Sequence, residues 1–260
     1  MTTAAKRKKL VVCDNLLNYY HLPSILKKNN TVLFLHGWRS NSQLWFKVID
    51  QLIKKNYELY FLDLPGFGQS GKVIKSLNLD DYADIVLGFL KKIGLTKITV
   101  IGHSFGGAVG IKLALKQPPI ISKLVLVDSS GIRTQTAKKK IGKFIAKIVK
   151  PIFTVPTLKP LREKIYRLIG AEDYVATPEL VETYINVIKE NLTHKLKNIK
   201  SPTLLIWGEN DKETPIKDAL LMTNEIKGSQ LVIMKNAGHF SFLDQPKTFQ
   251  DEIIKFLTAK

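Results

Sequence analysis

Ser104 lies in Gly102-His103-Ser104-Phe105-Gly106-Gly107, between an apolar run ending at Ile101 and a helical stretch through Ala108, Ile111 and Leu115. A serine on a tight strand-to-helix turn is placed for nucleophilic attack. The flanking glycines leave room for the bend, and the free N–H groups at the helix start favour developing negative charge. Serine alone is a weak nucleophile and needs a base. The histidines are His21, His36, His103, His194 and His239. Asn236-Ala237-Gly238 puts His239 just past the last apolar run, at the sheet edge that carries Ser104. His103 adjoins the serine but should point elsewhere from the turn. His36 closes an earlier run and should support a loop, while His21 and His194 stand in no motif. A carboxylate must then orient the imidazole and stabilise its charged form. Asp211 in Trp207-Gly208-Glu209-Asn210-Asp211 follows a strand and gives the chain order Ser104, Asp211, His239. Asp128 also ends an apolar run and is its rival.

The elements that would position these residues are short apolar runs at 32–35, 57–62, 97–101, 123–127, 203–207 and 230–234, each closed by turn formers. Helical patterns lie between them at 42–54, 79–93, 105–116, 215–226 and 245–258. Near-continuous apolar strands alternating with helices predict an α/β fold, a mostly parallel sheet with helices on both faces. The segment 10–20 could add an antiparallel edge. The alternation breaks between Asp128 and Ser201, where prolines 151, 156, 160 and 178 punctuate a helical stretch. The expected organisation is a core of residues 1–130 and 200–260 with an inserted helical lid at 131–199.

Composition narrows the class. The chain has 260 residues, 45% apolar and 24% charged, which suits a globular domain. Cys13 is its one cysteine, so an internal disulfide and zinc sites built from several cysteines are excluded. The longest stretch without Asp, Glu, Lys or Arg is 98–111, short of the about 20 residues a membrane span needs. Behind Lys6, Arg7, Lys8 and Lys9 the apolar run stops at Asp14, too early for a secretory signal. A cytoplasmic location is expected.

The net charge is +18 and is uneven: between Gly131 and Gly170 eleven basic residues face only Glu163. Ile141, Phe144, Ile145, Ile148 and Val149 recur at helical spacing there. The expected arrangement is a lid helix with its apolar face over the site and its lysines in water. Nucleic acid is not expected as a partner, and membrane-surface association should be weak or absent. Oligomeric state stays open. Gly66-Phe67-Gly68-Gln69-Ser70-Gly71 matches a dinucleotide-binding spacing, but no helix is expected to open at its last glycine, which such a site requires.

Taken together, His36-Gly37-Trp38, the run from Asp63 to Ser70, the Ser104 turn, the Gly208 to Asp211 turn and Ala237-Gly238-His239-Phe240 resemble the α/β-hydrolase-fold superfamily, in its lid-bearing serine esterase type. The resemblance spans nearly the whole chain. It implies an oxyanion hole from the backbone N–H groups of Trp38 and Phe105, and it implies hydrolysis of small-molecule carboxylic esters through an acyl-serine, with no metal or cofactor. Trp38, Phe144, Phe153, Leu158, Tyr166 and Phe240 are the expected substrate-pocket residues. The serine nucleophile argues against the dehalogenases and epoxide hydrolases of the superfamily, which use aspartate. The Ser104 turn also resembles carbon–carbon bond hydrolases of ring-cleavage products. Those usually carry a longer Gly/Pro-rich loop after the first His-Gly and a Trp after the catalytic histidine. Here Trp38-Arg39-Ser40 and Phe240 stand at those places, so ester hydrolysis is ranked first. A lactonase, a thioesterase or a ligand receptor on the same fold are the further alternatives.

Overall fold

The computed structural model describes residues 5–25, 30–132 and 177–259. Eight strands form one sheet in the order β1-β2-β4-β3-β5-β6-β7-β8. They are β1 (Lys6–Val12), β2 (Asn15–Leu22), β3 (Thr31–Leu35), β4 (Glu58–Leu62), β5 (Ile98–His103), β6 (Ile121–Val127), β7 (Thr203–Gly208) and β8 (Gln230–Met234). The six strands from β3 to β8 are parallel, and β1 and β2 add an antiparallel edge beside β4.

The helices are α1 (Asp50–Lys54), α2 (Leu79–Lys92), α3 (Phe105–Lys116), α4 (Val181–Lys189), α5 (Ile216–Glu225), α6 (Ser241–Asp244) and α7 (Pro246–Thr258). Strand side chains alternate between the faces. Leu33 and Leu35 pack in one apolar cluster with residues of α2, α3 and α5. Val32 and Phe34 pack in the other with Leu52 of α1 and Phe249, Ile253 and Phe256 of α7. Burial on both faces is why these strands read as continuous apolar runs. Burying each such side chain stabilises the fold by about 1.5–3 kcal/mol.

The six apolar runs fall on the six parallel strands. The amino-terminal region differs from expectation: it is a hairpin of two strands, not one edge segment. Cys13 and Asp14 make the turn with φ of 46° and 61°. β1 exposes Lys6, Arg7, Lys8 and Lys9 along the outermost edge, where charge discourages pairing with another chain. The pattern 42–54 divides into a 3₁₀ turn, Ser42–Val48, capped by the Asn41 side chain, followed by α1. The pattern 245–258 starts earlier, with α6, and breaks at Gln245 because the residue before Pro246 is driven out of helical geometry.

Of the expected lid, the described portions are 131–132 and 177–199, the second of which holds α4 between two 3₁₀ turns. Leu192 N–H donates to the Gly131 carbonyl at 2.8 Å, joining the chain that follows β6 to the chain that precedes β7. Lys112 of α3 is buried and pairs with Asp80 of α2 at 2.7 Å and with Glu190 just past α4. Burial disfavours its charge, but the two carboxylates outweigh this and raise its pKa. This pairing locks α3, the helix that starts at the serine turn, to both neighbours. Among the described residues no helix is long and apolar enough to cross a membrane.

Candidate active site

Ser104, Asp128, Asp211 and His239 follow β5, β6, β7 and β8, at the carboxyl ends of the parallel strands, where open α/β sheets place their sites. Ser104 follows β5 with φ 50° and ψ −114°. Such a backbone costs on the order of 1–3 kcal/mol and persists only where its surroundings over-determine it. Here they do. Ser104 N–H donates to Val127 O at 3.0 Å, and Ser104 O accepts from the N–H groups of Gly107, Ala108 and Ser130. The Ser130 hydroxyl donates to it as well, at 3.1 Å. A Cβ on Gly102 would run into the Gly106 carbonyl, and one on Gly106 into the Leu35 carbonyl. The flanking glycines are therefore steric requirements of the turn.

Asp211 lies on the loop after β7 and His239 on the loop after β8. Nδ1 of His239 is 2.9 Å from Asp211 Oδ2. The Asp211 carboxylate also accepts the Thr214 hydroxyl at 2.6 Å and the N–H groups of Glu213 and Thr214 at 2.8 and 3.0 Å. An ionised carboxylate is acceptor-only, so Nδ1 carries the proton and Nε2 is left as the basic nitrogen. Burial raises the Asp211 pKa, but the His239 and Thr214 hydrogen bonds outweigh it and the net value is lowered. For His239, burial lowers the pKa, while the Asp211 bond and charge, Glu213 and Asp128 raise it, and the net value lies above 6.5.

Asp128, the rival acid, is committed elsewhere. Its carboxylate accepts Gly208 N–H at 2.8 Å, Ser241 N–H at 3.1 Å and the Ser241 hydroxyl at 2.6 Å. It thus ties the end of β6 to β7 and α6. Burial lifts its pKa to about 7 against the pull of those bonds.

His103 is turned away from the serine, as expected. Its Nε2–H donates to the His239 carbonyl at 2.7 Å, and burial lowers its pKa to about 3, so it stays neutral. It holds the backbone of the residue it resembles. His36 bridges two loops: Nε2 accepts Leu64 N–H at 3.0 Å, and Nδ1–H donates to Gly37 O at 2.7 Å. His21 lies against Glu58 at 2.9 Å, at the start of β4 and away from the strand ends that carry the site, and His194 is exposed.

Trp38 and Phe105, the two residues expected to donate backbone N–H groups, are neighbours with ring centroids 5.2 Å apart. Trp38 also meets Tyr184 of α4 at 5.2 Å. Phe240 lies beside His239 at 5.6 Å and is 39% exposed. Phe144, Phe153, Leu158 and Tyr166 lie outside the described residues. The dinucleotide-like glycines instead form a loop around the Asp63 carboxylate, which accepts the N–H groups of Ser42 and Gln69. No helix opens at Gly71; α2 starts at Leu79.

Sequence reasoning missed Glu213. Its Oε2 is 3.3 Å from His239 Nε2, the nitrogen opposite Asp211. The only available signal was a third carboxylate two residues after Asp211, in a loop where carboxylates are common.

A parallel sheet with a serine at a strained turn and an Asp–His pair at the same edge defines an α/β-hydrolase fold. The alpha/beta hydrolase family model matches residues 32–252, and the chain belongs to that family. It is 22% identical, over 99% of its length and 98% of the relative's, to a 2-hydroxy-6-oxononadienedioate/2-hydroxy-6-oxononatrienedioate hydrolase from Pseudomonas sp. It is 26% identical, over 89% of its length and 95% of the relative's, to a pimeloyl-[acyl-carrier protein] methyl ester esterase from Pectobacterium carotovorum subsp. carotovorum (strain PC1). In structure it is similar to a bacterial membrane phospholipase A, with a TM-score of 0.79 and 22% identity, covering 98% of this chain and 86% of that one. The chain is a hydrolase. The relatives favour the carbon–carbon alternative over the ester reading that the short loop after Gly37 and Phe240 had placed first.

Proposed function

We propose that the chain is a serine hydrolase that attacks an activated carbonyl, first a ring-cleavage ketone whose carbon–carbon bond is broken, and second a carboxylic ester. The observation that supports a serine mechanism is the Asp211–His239 hydrogen bond at the strand edge that carries Ser104. In this reading Ser104 Oγ adds to the carbonyl while His239 Nε2 takes its proton. The N–H groups of Trp38 and Phe105 stabilise the oxyanion. His239 then returns the proton to the departing carbanion or alkoxide and afterwards activates water to release the acyl group.

The two readings share the addition step and differ in the leaving group: an alkoxide leaves directly, whereas the carbanion needs the substrate's 2-hydroxy-dienoate first to shift a proton to its 2-oxo form, which then accepts the electron pair. Relatives named as dienedioate hydrolases support the carbon–carbon reading, and the esterase relative supports the other. We place 131–199 as a cap over the site and keep the substrate a small molecule. The deciding experiment compares kcat/KM for a 2-hydroxy-6-oxo-dienoate with that for p-nitrophenyl butyrate and monomethyl pimelate. A ketone preference of tenfold or more is expected. Preference for either ester moves the second reading to first, and a single turnover on every substrate would make the chain a receptor.

The pH profile follows from the site. A base must be neutral, and the raised His239 pKa moves that requirement upward. We expect kcat/KM to rise through one ionisation with its midpoint above 6.5. The stability contribution has the opposite sense: the imidazolium–Asp211 pair is fully present below about pH 6.5 and fades as pH rises through the folded value. Rates and unfolding midpoints measured between pH 5 and 9 check both.

A further inference from the structure

We propose that Glu213 is a specificity and positioning residue: its carboxylate holds the outer nitrogen of His239 when that ring is charged and places negative charge beside the substrate atom that His239 protonates. The inference rests on His239 acting as the proton carrier, which both readings of the function share.

His239 is gripped from both sides. Asp211 Oδ2 is 2.9 Å from Nδ1, and Glu213 Oε2 is 3.3 Å from Nε2. The two carboxylates differ in what surrounds them. Asp211 is buried and fixed by Thr214 and two N–H groups, so it cannot leave. The Glu213 side chain is 67% exposed, so it can swing into water. Its backbone N–H is bound to Asp211 Oδ1 at 2.8 Å, which fixes the root of the side chain beside the imidazole while its tip stays free.

Three consequences follow from charge alone. When His239 is an imidazolium, Nε2–H donates to Glu213 and the charged form is favoured. When the ring is neutral, Nε2 presents a lone pair that repels the carboxylate, and the Ser104 hydroxyl can take its place. When the proton is delivered to the leaving group, that group lies within hydrogen-bond reach of Nε2 and therefore beside Glu213. An anionic group next to the broken bond is disfavoured there, and a cationic or hydrogen-bond-donating one is favoured. Among the described residues the other titratable groups facing His239 are Asp211, Asp128 and His103; His103 is neutral because it is buried. None of them has a carboxylate or base free to leave Nε2 as Glu213 has. The basic segment 131–170 lies mostly outside the described residues.

The test uses the full-length protein and Glu213→Gln, which keeps size and backbone bonding and removes the charge. The first readout is the His239 titration by NMR, tractable with the few histidines present. The midpoint should fall by about half a pH unit, the scale of one partly exposed ion pair. The second readout is kcat/KM for butyrylcholine against its neutral isostere 3,3-dimethylbutyl butyrate. The wild type should prefer the cation about two- to fivefold, and Glu213→Gln should lose that preference while still turning over the neutral ester. Glu213→Ala should give the same titration result if the glutamine side chain disturbs the loop. An unchanged His239 midpoint in folded Glu213→Gln and Glu213→Ala overturns the proposal. If the wild type hydrolyses neither ketone nor ester, the functional reading fails, yet the titration still decides the role of Glu213 on its own.

Discussion

Ser104→Ala should leave a folded protein whose kcat on its best substrate is lower by about 10⁴-fold or more. Removing the nucleophile forces water to attack directly, and only binding and the oxyanion donors remain to lower the barrier. The members of such a set act as a unit, so adding His239→Ala to Ser104→Ala should cost little further. The stability readout is separable. Ser104 has φ 50°, a strained conformation for any residue with a Cβ, and alanine inherits that strain unchanged. Ser104→Gly should be equally inactive yet more stable, by about 1 kcal/mol, because glycine adopts positive φ without penalty. Circular dichroism and thermal unfolding would check the fold beside the rate. Activity within tenfold of wild type in folded Ser104→Ala would remove the acyl-serine mechanism altogether.

The sheet was legible because its parallel strands are buried on both faces. Val32 and Phe34 fill one cluster and Leu33 and Leu35 the other, which leaves no polar alternation to confuse the reading. β1 was invisible for the converse reason: its Lys6, Arg7, Lys8 and Lys9 face solvent and contribute no apolar run. The serine turn was legible because glycine is required at Gly102 and Gly106 by contact with backbone, so steric need appears directly as composition. Lys112 sits on an otherwise apolar helix, and its partners Asp80 and Glu190 are remote in sequence, so nothing local announces a buried ion pair. Glu213 was missed because an exposed loop carboxylate has no pattern; only the fold of its loop around Asp211 brings it to His239.

Asp211→Asn should lower kcat by about 10⁴-fold with little change in fold, whereas Asp128→Asn should keep most of the activity and lose stability. The geometry gives each aspartate one job. Asp211 faces His239 Nδ1, and an amide there can present its NH₂ to the ring, which would move the ring proton to Nε2 and abolish the base. Asp128 faces three donors, Gly208 N–H, Ser241 N–H and the Ser241 hydroxyl, and an amide oxygen cannot serve all of them. Leaving one buried donor without an acceptor costs about 1–3 kcal/mol. For a chain of this size that is roughly 2–4 °C in Tm per kcal/mol. The pH dependence separates the two further. Asp128 has its pKa raised to about 7, so its favourable contribution is complete below the unfolded carboxylate value and is lost as pH rises through about 7. The asparagine does not titrate, so the stability gap between wild type and Asp128→Asn should narrow from pH 5 to pH 8. Asp211 has its pKa lowered, so its own contribution is lost only in acid; the asparagine also removes the imidazolium–Asp211 pair, so the gap for Asp211→Asn should hold below about pH 6.5 and narrow only as pH rises through the raised His239 value. Thermal unfolding at several pH values, paired with kcat for both variants, measures all of this. If Asp128→Asn were the more damaging to kcat at full stability, the carboxylate serving His239 would be the one at the end of β6.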